Sequence, residues 1–227
     1  MKEATPWAEV FDKLAQAGAE TGLMVGLGTL FAVLGGLPLG VLLHASAPGG
    51  LRPQPLVYRA LGFVVDLTRS LPFIILLVAL IPVTRALAGS YIGSGPAVVP
   101  LAIGAIPFLA RLVQSALREV PAGVVEAALT TGASKPKIVR SVLVKEAGPS
   151  LIAAVGVTAV ALIGYSAMAG AVGGGGLGNL AITYGYQRFD SRLLYSSVIV
   201  LAALTFLVQI LFDLVSRTVD RRRQITV

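Results

Sequence analysis

The sequence contains no cysteine and a single histidine, His44. The lack of cysteine excludes a disulfide framework, a thiolate metal site and a cysteine nucleophile. One histidine also argues against a histidine-based zinc site. Charged residues make up only 13% of the 227 residues, whereas soluble domains carry about 25%. Because no paired histidines or carboxylates are available for catalysis, we expect neither a metal site nor an enzyme.

Hydrophobic residues, in contrast, are abundant, at 56% of the chain with a mean hydropathy of +0.85. A soluble core of this size could not bury so much apolar surface, so the composition predicts an all-α polytopic membrane protein. The formal net charge is +7. No basic stripe is interleaved with aromatic residues, so we expect the bilayer rather than nucleic acid as the partner of these charges.

Long windows with few charges mark the places where the chain crosses the bilayer, since a spanning helix needs about 20 mostly apolar residues. The second window is less clean than the others, because Asp66 and Arg69 lie in its first half. A glycine-rich loop at Gly89–Pro96 precedes the third. The five predicted transmembrane helices cover residues 21–43, 59–83, 97–117, 147–172 and 193–212.

Five spans place the two termini on opposite sides of the membrane. If the C-terminus is cytoplasmic, 12 basic residues lie inside and 5 outside, as the positive-inside rule requires. The inside set includes Arg111, which we assign to the segment between spans three and four. We therefore expect the N-terminus outside and the C-terminus in the cytoplasm.

Three segments follow from this topology. Residues 1–20 carry acidic side chains rather than the basic start of a secretory signal. Because Trp7 and several apolar residues share one helical face there, we expect an extracytoplasmic interfacial helix, or alternatively a partly ordered tail. Residues 21–217 form a single transmembrane domain, and residues 218–227 form a basic cytoplasmic tail.

The segment from about residue 118 to 149 reads as a helix–turn–helix. Pro121 suits a first helical position, Gly132 can take the left-handed conformation that closes a helix, and Ser134 can cap the next one. A short exposed helix pair suits docking into another protein. An amphipathic loop lying on the lipid surface is the alternative.

Within this segment, Glu126-Ala127-Ala128, three further residues and Gly132 resemble the EAA loop of ABC-importer permeases. The second half departs from that pattern, because Lys145 stands where the family usually has proline. We expect Lys145 to continue the helix and Pro149 to supply the break. The resemblance implies an ATPase-coupling loop that contains Glu126, Ala127, Ala128, Gly132, Ala133, Ser134, Val142 and Leu143.

The resemblance extends over most of the chain. Arg69-Ser70-Leu71-Pro72 resembles a segment of amino-acid permeases, and residues 99–111, 164–178 and 184–186 resemble the MetI-like permease subunits of methionine ABC importers. That family implies a five-span homodimer in the bacterial cytoplasmic (inner) membrane. It also implies two cytoplasmic ATPase subunits, which hold ATP and Mg, and an extracytoplasmic methionine-binding lipoprotein. No cofactor is expected in this chain.

Polar residues inside spans usually face protein or a water-filled path. We therefore consider Tyr165, Ser166 and Met168 of the fourth span as lining a translocation pathway, although ordinary helix packing explains them equally well. Arg69 and Pro72 are candidates for a gate. Asp66 and Arg69, three residues apart, otherwise form a structural ion pair.

The glycine run at residues 173–178 lacks the Gly-Lys-Ser/Thr sequence of a phosphate-binding loop. We expect it to form a turn or a gate at the outer mouth, and we expect any ATP hydrolysis on a separate subunit. Asp66 is the only acidic residue well inside a span, which argues against a proton-driven carrier. An ABC permease for another amino acid or small polar solute remains open, as does a stand-alone secondary carrier.

Overall fold

The computed structural model describes residues 5–220, and regular secondary structure within that range is helical. Residues 1–4 and 221–227, which include most of the predicted basic tail, lie outside the described residues. The helices are α1 (Trp7–Ser46), α2 (Pro55–Ser70), α3 (Phe73–Ala79), α4 (Ile81–Ala88), α5 (Ser94–Arg118), α6 (Ala122–Thr130), α7 (Lys135–Ile138), α8 (Val144–Glu146), α9 (Gly148–Ala171), α10 (Gly176–Asn179) and α11 (Ser191–Val219), with π-helical turns at Val139–Leu143 and Leu180–Tyr186.

Four of these helices, α1, α5, α9 and α11, are long and apolar enough to cross a membrane. The pair formed by α2 and α3 passes the same test together, so the described residues contain four candidate spans, or five if this bent pair counts as one span. This confirms the predicted all-α membrane protein, with four or five candidate spans where five were predicted. α1 and α5 pack along one another, and α9 packs against both.

The second span is not the single helix that we predicted over residues 59–83. The chain bends by 104° between α2 and α3, at Leu71 and Pro72. Proline lacks the N–H that would continue the helix, and it pushes the residue before it out of the helical region. Leu71 and Pro72 accordingly have extended backbones, with ψ of 134° and 131°.

The N-terminal segment differs from the expectation in another way, because α1 runs without a break past the predicted boundary at residue 20. Its 40 residues give a helix of about 60 Å, roughly twice the thickness of the hydrocarbon core. Val10 and Ala17 pack against Leu177, Leu180 and Leu193. The first turns of α1 are therefore a packed extension of the first span and not a separate helix.

Small residues allow the close contact between α1 and α5. Gly28, Ala32, Gly36 and Gly40 follow one another at four-residue spacing on the face of α1 that is buried. A Cβ atom built at Gly36 would lie 2.8 Å from the carbonyl oxygen of Ile106, and one at Gly40 would lie 2.6 Å from that of Ala110. Glycine is required there because the two backbones approach one another directly.

Two irregular segments lie at opposite ends of the spans. The EAA loop (residues 119–147) connects α5 to α9 and contains α6, α7 and α8. The glycine strap (residues 172–178) follows α9 at the other end and turns the chain back into α10. Gly173, Gly175 and Gly176 have positive φ angles of 94°, 75° and 74°, which glycine adopts at little cost.

Candidate functional site

The helix–turn–helix predicted for the EAA loop is present. Pro121 precedes α6 and occupies its N-cap position, one residue earlier than we expected. Gly132 has a φ of +75°, and its amide and that of Ala133 donate to the carbonyl oxygens of Leu129 and Ala128 at 3.0 and 3.3 Å. This is the left-handed glycine cap that the sequence predicted. Ser134 follows at the N-cap position of α7 with an extended backbone, but its side chain does not make the capping hydrogen bond that we expected.

Lys145 continues the second half of the loop, as expected from the missing proline. It lies within α8, which follows the π-helical turn Val139–Leu143 without a gap. The helical run ends at Ala147, whose ψ of 0° interrupts it, and Pro149 then lies in the first turn of α9. The break therefore comes two residues before Pro149.

The EAA loop is anchored on one side and open on the other. Ile138 and Leu143 are buried, and Leu143 belongs to the main core of the protein. All of α6, by contrast, is exposed or half-buried, including the apolar side chains of Val124 and Leu129. Of the residues predicted for coupling, Glu126, Ala127, Gly132 and Ser134 are exposed, Ala128, Ala133 and Val142 are half-buried, and Leu143 is buried.

A cavity of about 630 Å³ lies beside this loop. It opens where the turn that follows α1, at Ala47–Leu51, meets α6, and Glu126, Leu129, His44 and Arg118 contribute to its lining. No sequence pattern marked it, because its two walls come from segments about 75 residues apart in the chain. It adds a recess to the exposed face of α6.

A polar cluster joins α2 to α5 within the spans. Arg111 donates from Nε to Oδ1 of Asp66 at 2.9 Å and from Nη2 to Oδ2 at 2.5 Å. Its Nη1 also donates to Oε1 of the buried Gln114 at 2.7 Å. Arg69, the partner that we predicted for Asp66, also forms an ion pair with it, at the longer distance of 3.7 Å. Arg111 was assigned to the cytoplasmic segment, whereas it lies within α5, on the side that faces α2.

The residues predicted for the pathway do not come together at one site. Arg69 and Pro72 lie at the α2–α3 bend, next to Phe73, whose ring stacks on that of Tyr165 with centroids 4.2 Å apart. Ser166 is only 1% exposed and donates to the carbonyl oxygen of Ile163 at 2.8 Å, so its hydroxyl is used within α9. Met168 is 44% exposed.

The glycine strap is held by α1 through contacts that the sequence did not reveal. The Glu20 carboxylate accepts a hydrogen bond from the amide of Gly176 at 2.6 Å, and the Thr21 hydroxyl accepts one from that of Leu177 at 2.9 Å. A Cβ atom at Gly175 would lie 2.6 Å from Oε2 of Glu20. The strap is therefore a packed element fitted against α1 and not an open turn.

The beginning of the described chain is tied to the start of α11. The Asp190 side chain caps α11 by accepting from the amides of Arg192 and Leu193 at 3.1 and 3.2 Å, and it also accepts from the amide and the hydroxyl of Thr5. The guanidinium of Arg192 lies 5.3 Å from the ring centroid of Trp7. Desolvation acts to raise the pKa of Asp190, but the hydrogen bonds from Thr5 and the helix amides outweigh it and lower that pKa.

Comparison with known proteins shows which family this chain belongs to. Residues 36–225 match the family described as "Binding-protein-dependent transport system inner membrane component". The match extends from the last third of α1 through the bent span, the EAA loop and α11. The chain therefore belongs to this family of inner-membrane transport permeases.

The names of individual relatives are more specific about the transported solute. The probable D-methionine transport system permease protein MetI of Vibrio cholerae is 47% identical over 211 residues, which cover 93% of this chain and 94% of that protein. The methionine import system permease protein MetP of Bacillus subtilis is 42% identical over 181 residues, covering 80% and 82%. A structure of the MetNI methionine ABC transporter in an inward-facing conformation contains a chain with a TM-score of 0.91 and 42% identity, covering 93% of this chain and 98% of that one.

Proposed function

We propose that this chain is the transmembrane permease subunit of an ATP-driven ABC importer for methionine. Its similarity to methionine permeases over 80–93% of its length supports the substrate class. The observation that carries the transport role is the EAA loop, because α6 presents Glu126 on an exposed surface while Leu143 anchors the same loop in the core.

The assembly that we propose contains two copies of this chain, two ABC ATPase subunits and a substrate-binding lipoprotein. ATP and Mg bind the ATPase subunits. The glycine strap supports this division, since Asn179 and Leu180 follow it where a phosphate-binding loop needs lysine and serine or threonine. The exposed apolar face of α6 and the cavity beside it offer the surface on which an ATPase subunit docks.

In the orientation that we propose, the EAA loop and the C-terminus are cytoplasmic, and the glycine strap and the N-terminus are outside. Moving Arg111 from the loop into α5 leaves 11 basic residues inside and 5 outside. The charge bias therefore still has the same direction. A bacterial inner-membrane location follows from the family.

Transport follows from the way the EAA loop is attached. When the ATPase subunits close on ATP, they displace α6, and the buried side chains of Ile138 and Leu143 pass that displacement to the spans. α1 and α5 move as one body because their backbones are in direct contact at Gly36 and Gly40. The two copies then change between outward-open and inward-open states by rigid-body rotation.

Reconstitution with the ATPase and the lipoprotein tests this proposal. Liposomes that contain the complete assembly should accumulate labelled methionine only when ATP is supplied on the cytoplasmic side of the permease. Uptake of another amino acid in preference to methionine would assign the importer to a different solute. Gradient-driven transport by the purified chain alone, without ATP, would replace the importer with a secondary carrier.

A further inference from the structure

The bend of the second span lies deep within the spans. Phe73, directly after the bend, packs on Gly104 of α5, where an added Cβ atom would lie 3.3 Å from its ring. The guanidinium of Arg69, directly before the bend, lies 5.9 Å from the ring centroid of Phe108. At 1.5 Å per residue, these two α5 positions are each about 15 Å from the nearer end of that helix, Ser94 or Arg118. The bend is therefore near mid-depth in the membrane.

α2 exposes two adjoining sides along its length. Arg59, Asp66 and Ser70 are separated by seven and four residues and form one exposed stripe. Val64 and Leu67 lie on an adjoining exposed side that is apolar, and the exposed Phe63 lies between this side and the stripe. Since exposed charges in hydrocarbon are strongly disfavoured, the apolar side faces lipid. The polar stripe then faces water or protein.

The groups at the bend are suited to a small zwitterion. Asp66 is engaged by the two hydrogen bonds from Arg111, whereas Arg69 approaches it only to 3.7 Å and is 37% exposed. A guanidinium has five N–H donors, so most of those of Arg69 can bind a carboxylate. α2 ends at Ser70, and the last carbonyl groups of a helix carry partial negative charge that attracts an ammonium group.

We propose that the α2–α3 bend is a transit site for the imported amino acid. Arg69 binds the carboxylate, and the carbonyl end of α2 binds the ammonium group. The ring of Phe108 and the stacked rings of Phe73 and Tyr165 lie beside the bend and offer apolar surface to the side chain of the amino acid. Broken helices bind solutes at mid-depth by the same physical means, since the break exposes polar backbone groups. This inference rests on the proposed import of an amino acid.

Thiol labelling tests the site, because the chain contains no native cysteine. Ser70→Cys and the matched control Val64→Cys are each prepared in the transporter assembled with its ATPase in proteoliposomes. A charged, membrane-impermeant methanethiosulfonate is added to both sides, and labelling of this chain is followed by mass. Ser70→Cys should react about tenfold faster than Val64→Cys, because a thiol in an apolar setting forms less thiolate.

Protection of the thiol by methionine then distinguishes a binding site from a surface that is only exposed to water. Saturating L-methionine should slow the labelling of Ser70→Cys several-fold, and L-methioninamide, which lacks the carboxylate, should not. Adding Arg69→Gln should remove the protection by methionine. Adding Arg59→Gln, which changes a guanidinium on the same stripe nearer the start of α2, should leave it intact.

Three results would overturn the site. Equal labelling of Ser70→Cys and Val64→Cys would mean that lipid or the second copy covers the polar stripe. Fast labelling that methionine does not slow would mean that the stripe is wet but binds no solute, and protection that survives Arg69→Gln would remove the role of Arg69. ATP-driven uptake, measured in the same liposomes with the lipoprotein added, keeps the two proposals apart. Uptake without protection of Ser70→Cys by methionine would refute the transit site alone. Absence of uptake would refute the proposed importer.

Discussion

Arg111 of α5 donates two parallel hydrogen bonds to Asp66 of α2, although 45 residues separate them in the chain. Such a two-pronged guanidinium–carboxylate pair is directional as well as strong. It joins the bent span to the helix that leads into the EAA loop. The pair therefore links the part of the chain nearest the proposed pathway to the part nearest the proposed ATPase.

Removing the arginine should destabilise the protein. We expect Arg111→Gln to lower the free energy of unfolding by about 1–3 kcal/mol, because Asp66 and Gln114 both lose a donor. Thermal unfolding in detergent measures this. In a double-mutant cycle with Asp66→Asn, the second change should cost much less once the first is present. Strictly additive effects would show that the two side chains do not interact.

Reversing the charge on α6 should uncouple transport from ATP hydrolysis. Glu126→Lys places a cation on the surface proposed for ATPase docking, and we expect uptake to fall at least about fivefold, the scale of a typical coupling free energy. Because Glu126 is exposed, the thermal unfolding temperature should stay the same. Arg85→Glu, a charge reversal of opposite sign at an exposed position of α4, serves as the control. Normal uptake by Glu126→Lys at equal expression would exclude its coupling role.

The same glycine-to-alanine substitution should affect stability differently at two positions of α1. A Cβ atom at Gly40 would lie 2.6 Å from the carbonyl oxygen of Ala110, whereas one at Gly26 meets nothing within 4 Å. Gly40→Ala should therefore destabilise the protein by about 1–3 kcal/mol through overpacking. Gly26→Ala should be neutral or slightly stabilising. Similar unfolding temperatures for the two variants would contradict the direct contact between α1 and α5.

The contact between Thr5 and Asp190 should depend on pH. The pKa of Asp190 is lower in the folded protein than its ordinary value, so its contribution is complete above about pH 4. That contribution is lost as the pH falls through the lowered pKa. Trp7, the only tryptophan, reports this change because Arg192, which Asp190 helps to position, lies on its ring.

Fluorescence of Trp7 measures the loss. The wild-type signal should change as the pH falls below about 4, the ordinary range of an aspartate. Asp190→Asn should show the altered signal already at neutral pH and lose the acid transition. The same acid transition in Asp190→Asn would assign it to another carboxylate.

Local features of the sequence predicted their structures well. The span positions followed from apolar stretches, and the left-handed turn of the EAA loop followed from Gly132 alone. The bend at Leu71–Pro72 was missed although proline signals it, because the apolar residues that follow extend the uncharged window past the proline and hydropathy alone then gives one span. The pairings of Asp66 with Arg111 and of Glu20 with Gly176 join distant segments. No local pattern records which helix faces meet, so these contacts required the structure.

The most direct test of the importer is a gentle affinity purification of this chain from native membranes, followed by mass identification of its partners. We predict an ABC ATPase subunit in about equal amount, with a methionine-binding lipoprotein alongside. A chain that purifies as a lone oligomer, and that moves methionine into liposomes without ATP, would contradict the account.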